Sequence, residues 1–413
     1  MKPTRQLCRA LAPLTAVTAL LSLSACSSSG SDSGLTLWYR PGSIPTSAVE
    51  GVQKQFPKVK LNLVKVPDLE QKLKLALQTG SGTPDIAVIG NSISDYSPIE
   101  KKFADLKALG ADPTKDYVTS KWENGTTASG RLIGFPIDTG PQGLFYRTDL
   151  FAKAGLPTDP DQVSALTATW EGYRSLAEKT SAAGFKACDN AGMVYTLRLT
   201  QKGQGFFDKS GAYIGGNALS KEAFDYSAAL ITDGLCAKAA PYSTDWNSAV
   251  AQNKLGAFVG PVYEGGLLPG AGAKPGVWRV AQPPGGPGSQ GGSYMTILAS
   301  SKDQKDAFQV VQWMLNSANQ ASGYVKDGLF PSALGAFSDP RLTAGQEFYG
   351  GQKVGVLFGD VVKKSPTVLR IAKSPAVEGA MAGALTSVAQ GKESAADAWT
   401  SAQKQITEQL KQG

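Results

Sequence analysis

The 413-residue sequence predicts an α/β fold with a parallel sheet, built as two domains. Three observations predict it. Strand and helix patterns alternate through residues 35–89, which is the signature of a parallel sheet with helices on its faces. The length fits two domains at roughly 100–200 residues each. Hydrophobic residues make up 42% against 18% charged, enough apolar surface for large cores.

The elements follow in order. Residues 35–39 (LTLWY) form a first strand, and Pro41, Gly42 and Pro45 mark a loop. Val49, Val52 and Phe56 recur at helical spacing up to Pro57. Residues 59–66 alternate as a second strand. Asp68 is placed as the N-cap of a helix that carries Leu69, Leu73 and Leu77 and stops at Gly80. Residues 85–89 are a short buried strand. Ligands of such sheets bind beyond the carboxyl ends of the strands, here near residues 40–43 and 90–92.

Further strands are expected at 131–136 and 143–147, joined through Asp138-Thr139-Gly140-Pro141. Helical patterns follow at 149–154, 169–183 and 220–235. A strand at 256–259, a Pro/Gly loop at 283–288 and a strand at 294–299 come next. Helices are expected at 302–316, 375–389 and 394–410.

The first 26 residues carry a separate signal. Lys2, Arg5 and Arg9 precede an uncharged, mostly apolar run that ends in Leu23-Ser24-Ala25-Cys26. The run is shorter than the ~20 apolar residues needed to span a bilayer. It resembles a bacterial lipoprotein signal. That resemblance implies a signal peptide over 1–25, a lipid on Cys26, export, and anchoring to the outer face of the cell membrane. The Gly/Ser-rich residues 26–34 then form a flexible tether. With Cys8 removed and Cys26 lipidated, Cys188 and Cys236 remain as an even pair in an oxidising compartment, where a disulfide is expected.

Composition also excludes functions. The chain has no histidine, which rules out Ser-His-Asp and Cys-His catalysis and His-ligated metals. No P-loop and no G-x-S-x-G elbow occur, and the G-x-G-x-x-G match at 286–291 lies in a Pro/Gly loop rather than at a helix start. Neither a metal nor a cofactor is expected. After the signal, 38 Lys and Arg stand against 34 Asp and Glu, about +4, with no basic tract, so nucleic acid is not an expected partner. A glycosidase needs only two carboxylates and stays open as the enzymatic alternative.

The ordered segments Gly82-Thr83-Pro84-Asp85-Ile86, Gly130 to Asp138, Gly143 to Pro157, Thr169-Trp170-Glu171, Gly256 to Pro261 and Gly291 to Tyr294 carry a second resemblance. In this order the chain resembles the extracellular solute-binding proteins of carbohydrate ABC transporters, the group that includes maltose-binding protein. The resemblance implies a two-lobed periplasmic-binding-protein-like fold (type II), with a ligand cleft between lobes joined by hinge segments. Lobe 1 would be 35–137 plus 295–326, and lobe 2 would be 142–291 plus 331–413. It further implies a non-enzymatic monomer that captures a sugar or short oligosaccharide by hinge closure and hands it to membrane permease subunits. Another small polar ligand, such as a uronate, glycerol phosphate or polyamine, is the alternative.

Within that frame, ligand contacts are expected from residues at strand ends and crossings. Asp138 follows a strand at the first crossing, where a carboxylate can accept two hydroxyls. Tyr263 and Glu264 follow Gly260-Pro261, a position for a stacking aromatic in relatives. Arg40, Ser43, Asn91 and Ser92 leave strands at the cleft edge. Gly292 and Tyr294 lie on a hinge segment, and Phe358 is the aromatic available for the far end. Asn190 and Trp246 are weaker candidates.

Overall fold

The computed structural model describes residues 34–112, 114 and 116–412. The signal peptide, Cys26 and all but the last residue of the tether lie outside the described residues. Leu35–Tyr39 forms β1, Leu61–Lys65 β2 and Ile86–Ile89 β3. Phe135–Pro136 is β4, Gln142–Arg147 β5, Ala257–Pro261 β6, Trp278–Ala281 β7 and Tyr294–Ile297 β8. One sheet has the order β2-β1-β3-β8-β4, with β2, β1 and β3 parallel and β8 antiparallel to both its neighbours. A second, antiparallel sheet has the order β6-β5-β7.

The β2-β1-β3 part of the first sheet is parallel as the sequence pattern predicts, whereas the antiparallel pairing of β8 makes the sheet as a whole mixed. All four residues of β3 are buried, as expected of a strand covered on both faces. Leu35, Leu37 and Tyr39 enter one core with Met295, Ile297 and Val311, while Trp38 packs on the other face with Val66 and Leu69. The second sheet packs against helices at Trp170–Ala182, Ala191–Thr200, Ala218–Thr232 and Ser374–Ala389. Cys188 and Cys236 are disulfide-bonded, with Cα atoms 4.4 Å apart and a sequence separation of 48.

Three segments run side by side between the two sheets. Ile137 N–H donates to Ser293 O (3.0 Å), Thr139 N–H to Phe330 O (2.8 Å) and Gln290 N–H to Gly140 O (2.8 Å). Two of them connect the residues of one sheet to those of the other, β4 to β5 and β7 to β8, and the three together are the crossing segments.

Some expectations change. The strand expected over 131–136 is reduced to β4, because Leu132 is tied instead to Asp105 and Leu106. Asp68 occupies the N-cap position but makes no side-chain cap bond, whereas Gly80 ends that helix with φ 71° as expected. Helices at Ala191–Thr200, Thr244–Ala251, Ser317–Asp327 and Val354–Lys364, and strand β7, were not anticipated. Among the described residues no helix is long and apolar enough to cross a membrane.

Candidate functional site

A cavity opens where the crossing segments meet the two cores. Its walls come from Asn91 at the end of β3, from Lys121 and Asn124 on the short helix Thr119–Gly125, and from Gln290 and Gly291 of a crossing. Thr196 and Gln204 face it from one side, and residues 366–370 lie across it. The last group belongs to the irregular segment between the helices ending at Lys364 and starting at Ser374.

Lys121 is the central cation. The Thr119–Gly125 helix buries Lys121, Trp122 and Gly125, so its lysine is carried inward with the apolar face. Only 3% of Lys121 is exposed. Its ammonium donates to Gly291 O (3.3 Å) and sits 3.7 Å from the centroid of the Tyr294 ring, a cation–π contact. Burial lowers its pKa to about 7. The Asp138 carboxylate opposes that shift and Arg370 adds to it.

Arg370 is the second cation. Its guanidinium pairs with Glu378, yet its Nε is buried without a hydrogen-bond partner. The hydroxyl of fully buried Tyr294 is equally unpartnered; Ser92 Oγ and Asp95 Oδ1 on residues 91–102 are unpartnered too, but neither residue is on the cavity lining. Buried polar atoms are almost always paired, and the two unpartnered atoms on the cavity lining, Arg370 Nε and the Tyr294 hydroxyl, are ones that a bound polar molecule can complete.

The expected site residues divide. Asn91 and Tyr294 line the cavity. Asp138 is buried behind it, where Oδ1 accepts the Ser293 N–H at 2.6 Å, and burial pushes its carboxyl pKa up against the opposing pull of Lys121. Gly292 adopts φ +86°, and a Cβ there would overlap the Asp138 carbonyl. Its glycine thus serves the contact between crossing segments. Gly292→Ala should cost about 2 kcal/mol or more through this overlap and the left-handed backbone. An unchanged urea midpoint would refute that.

The remaining residues lie elsewhere. The Ser43 hydroxyl is consumed by a turn, donating to Arg40 O (2.8 Å) and accepting from Arg40 N–H (3.1 Å). The Arg40 guanidinium lies against Gly90 rather than on the cavity lining. The Tyr263 ring edges Gly140 and Gly291 on the crossing segments. Glu264 is fully buried with both carboxylate oxygens unpartnered, and it faces a second buried carboxyl, Asp189. Phe358 is a core residue, 6.0 Å from Phe145 and 5.9 Å from Phe330 between ring centroids, and is not among the lining residues. The far end of the cavity is instead formed by Val368, Leu369 and Arg370. Asn190 caps the helix that follows it, and the Trp246 indole N–H donates to Asp189 (2.9 Å).

Sequence reasoning missed Lys121 and Arg370. Lys121 was detectable as a charge on the buried stripe Val118, Lys121, Trp122, Gly125, at helical spacing. Arg370 sits in an irregular segment with no local signal.

Known proteins share this architecture. The family model for bacterial extracellular solute-binding proteins matches residues 47–348. A lactose-binding protein of Rhizobium radiobacter is 26% identical over 395 residues, covering 89% of this chain and 90% of that protein. An arabinooligosaccharide-binding protein of Bacillus subtilis is 28% identical over 53% of this chain and 52% of its own length. The crystal structure of an extracellular solute-binding protein of family 1 superposes with a TM-score of 0.84 at 28% identity, covering 91% of this chain and 98% of the other. The galacto-N-biose/lacto-N-biose I-binding protein of Bifidobacterium longum shares the fold at a TM-score of 0.77 and 20% identity, over 92% and 97% of the two chains. With two sheets, three crossings and a polar cavity where they meet, the chain belongs to the bacterial extracellular solute-binding proteins.

Proposed function

We propose that the protein captures a sugar or short oligosaccharide in this cavity by closure of two lobes about the crossing segments, and delivers it to the permease of an ABC importer. The lobes are 35–137 plus 295–326 and 142–291 plus 331–413. Asn91, Ser92, Asn124, Tyr294 and Arg370 are the proposed contacts, and no chemistry is done on the ligand. A lipid on Cys26 holds the monomer at the outer face of the cell membrane.

One observation carries the reading. The orphaned atoms on the cavity lining are a pure donor, Arg370 Nε, and the Tyr294 hydroxyl, which both donates and accepts. A sugar hydroxyl donates and accepts, so a ring bearing several hydroxyls can complete both of them. The cavity's charges are also offset internally: Glu378 pairs with Arg370, and Asp138 faces Lys121. That balance favours a neutral ligand over the acidic one that Arg40 would suit. The sugar ligands named for relatives, lactose and arabinooligosaccharides, agree with it.

A thermal-shift panel tests the proposal, using lactose, β-1,6-galactobiose, arabinobiose, glucuronate and spermidine. A ligand that binds only the folded state raises the midpoint. A rise with the neutral sugars supports the reading. A rise with spermidine or glucuronate alone, or with nothing, sinks it.

A further inference from the structure

Lys121 stands at a junction that no other side chain shares so closely. It lines the cavity, and its ammonium also donates to one crossing segment and faces the carboxylate of another. Gly291 O accepts one of its N–H groups, the Asp138 carboxylate on the neighbouring crossing faces it, and the Tyr294 ring lies beneath it. Those crossings are packed so tightly here that Gly292 has no room for a side chain between Asp138 and Lys121. An ammonium has three N–H groups. Gly291 O accepts one of them, which leaves donor capacity for the cavity that the side chain lines.

We propose that Lys121 is the ligand contact that couples capture to closure: its ammonium donates to a ligand oxygen while it clamps the two crossing segments, so that binding takes up a proton. This rests on reading the cavity as the sugar site. Without ligand, burial holds the Lys121 pKa near 7, so close to neutral pH a large part of the population is uncharged. A ligand oxygen that accepts from the ammonium stabilises the charged form and raises that pKa. Affinity is therefore full below about 7 and declines as pH rises above it. The charged or titratable groups facing Lys121 are Asp138 on one crossing, Tyr294 on β8 and Arg370 on the covering segment. Burial raises the pKa of Asp138 from its ordinary acidic value and lifts that of Tyr294 far above neutrality.

The experiment is calorimetric titration of the protein with lactose, β-1,6-galactobiose and arabinobiose at pH 7.5, in two buffers of different ionisation enthalpy. The expected result is uptake of roughly half a proton or more per ligand bound. Lys121→Met should weaken binding by about 10- to 100-fold and abolish the uptake. Lys121→Arg, whose charge does not titrate, should retain more affinity than Lys121→Met and also lose the uptake. A Lys121→Met protein that is less stable but binds with unchanged affinity assigns the lysine a structural role and overturns the inference. Tight binding by the wild type without proton uptake overturns it too, while leaving the sugar-capture reading intact. Binding of none of the three sugars overturns the reading, and the inference with it.

Discussion

Replacing Cys188 and Cys236 together by alanine is expected to lower stability by about 4 kcal/mol, the largest single effect foreseen for this protein. The bridge closes a long loop, its ends separated by 48 positions in sequence. In the chain-entropy account, the constraint acts on the unfolded chain, which loses freedom the folded chain does not need. The local structure adds a reason for the bond to matter. Ala237 N–H donates to Cys188 O (2.7 Å) and Ala239 N–H to Asp189 O (3.1 Å), so the bridge fastens a short parallel pairing. That pairing also sets Asp189 against Trp246. Urea denaturation of the double variant beside the oxidised wild type measures the effect. A difference below about 1 kcal/mol would refute the loop-closure argument.

The second large effect concerns Glu264. Its carboxyl pKa is raised well above the ordinary value, first by burial and then by the neighbouring Asp189, whose own pKa burial also raises. The sign follows from proton counts. The unfolded chain releases these protons in the usual carboxylate range, while the folded chain keeps them to higher pH. Folding stability therefore falls as pH rises from that range toward neutrality, by about 1.4 kcal/mol per pH unit for each proton retained. Glu264→Gln keeps the shape and has no proton to lose. It should flatten the decline and stabilise the protein at neutral pH by about 2 kcal/mol or more. Lys121 contributes with the opposite sign, but only above about 7, so urea midpoints between about pH 5 and 7 read the carboxyls alone. Equal slopes for the variant and the wild type would dismiss the argument.

Both effects involve residues the sequence brought forward, though Glu264 was expected in another role. Strands were legible where apolar and β-branched residues met turn residues: β1, β3 and β8 begin or end within two residues of their expected bounds. Two of the unread helices share a physical cause. Thr244–Ala251 and Ser317–Asp327 are rich in Ser, Asn and Ala, which carry little periodic hydrophobicity, and tertiary packing of Trp246 and Tyr324 holds them. The site was harder to read for a different reason. Arg40 and Ser43 stand at a strand end, as the rule for open sheets suggests, but Ser43 turns back onto the backbone of Arg40. Phe358 was chosen for its size, and size in a helix more often marks a core. The residues that face the cavity from 366–370 depend on how an irregular segment is laid across it, which no periodicity encodes.

The position of β8 has a consequence for how the chain is made. This strand lies between β3 and β4 in the first sheet, pairing Tyr294 with both Ile89 and Pro136. During synthesis, β4 emerges some 160 residues before the partner that joins it to the sheet. Until residue 297 has appeared, β3 presents an unpaired edge, and the N-terminal half cannot complete its own core. Such long-range closure is slow, because loop-closure entropy must be overcome before the pairing can repay it. The N-terminal half of the chain thus finishes folding only once a strand from the second half has been made, so its stability depends on residues that lie far away in sequence.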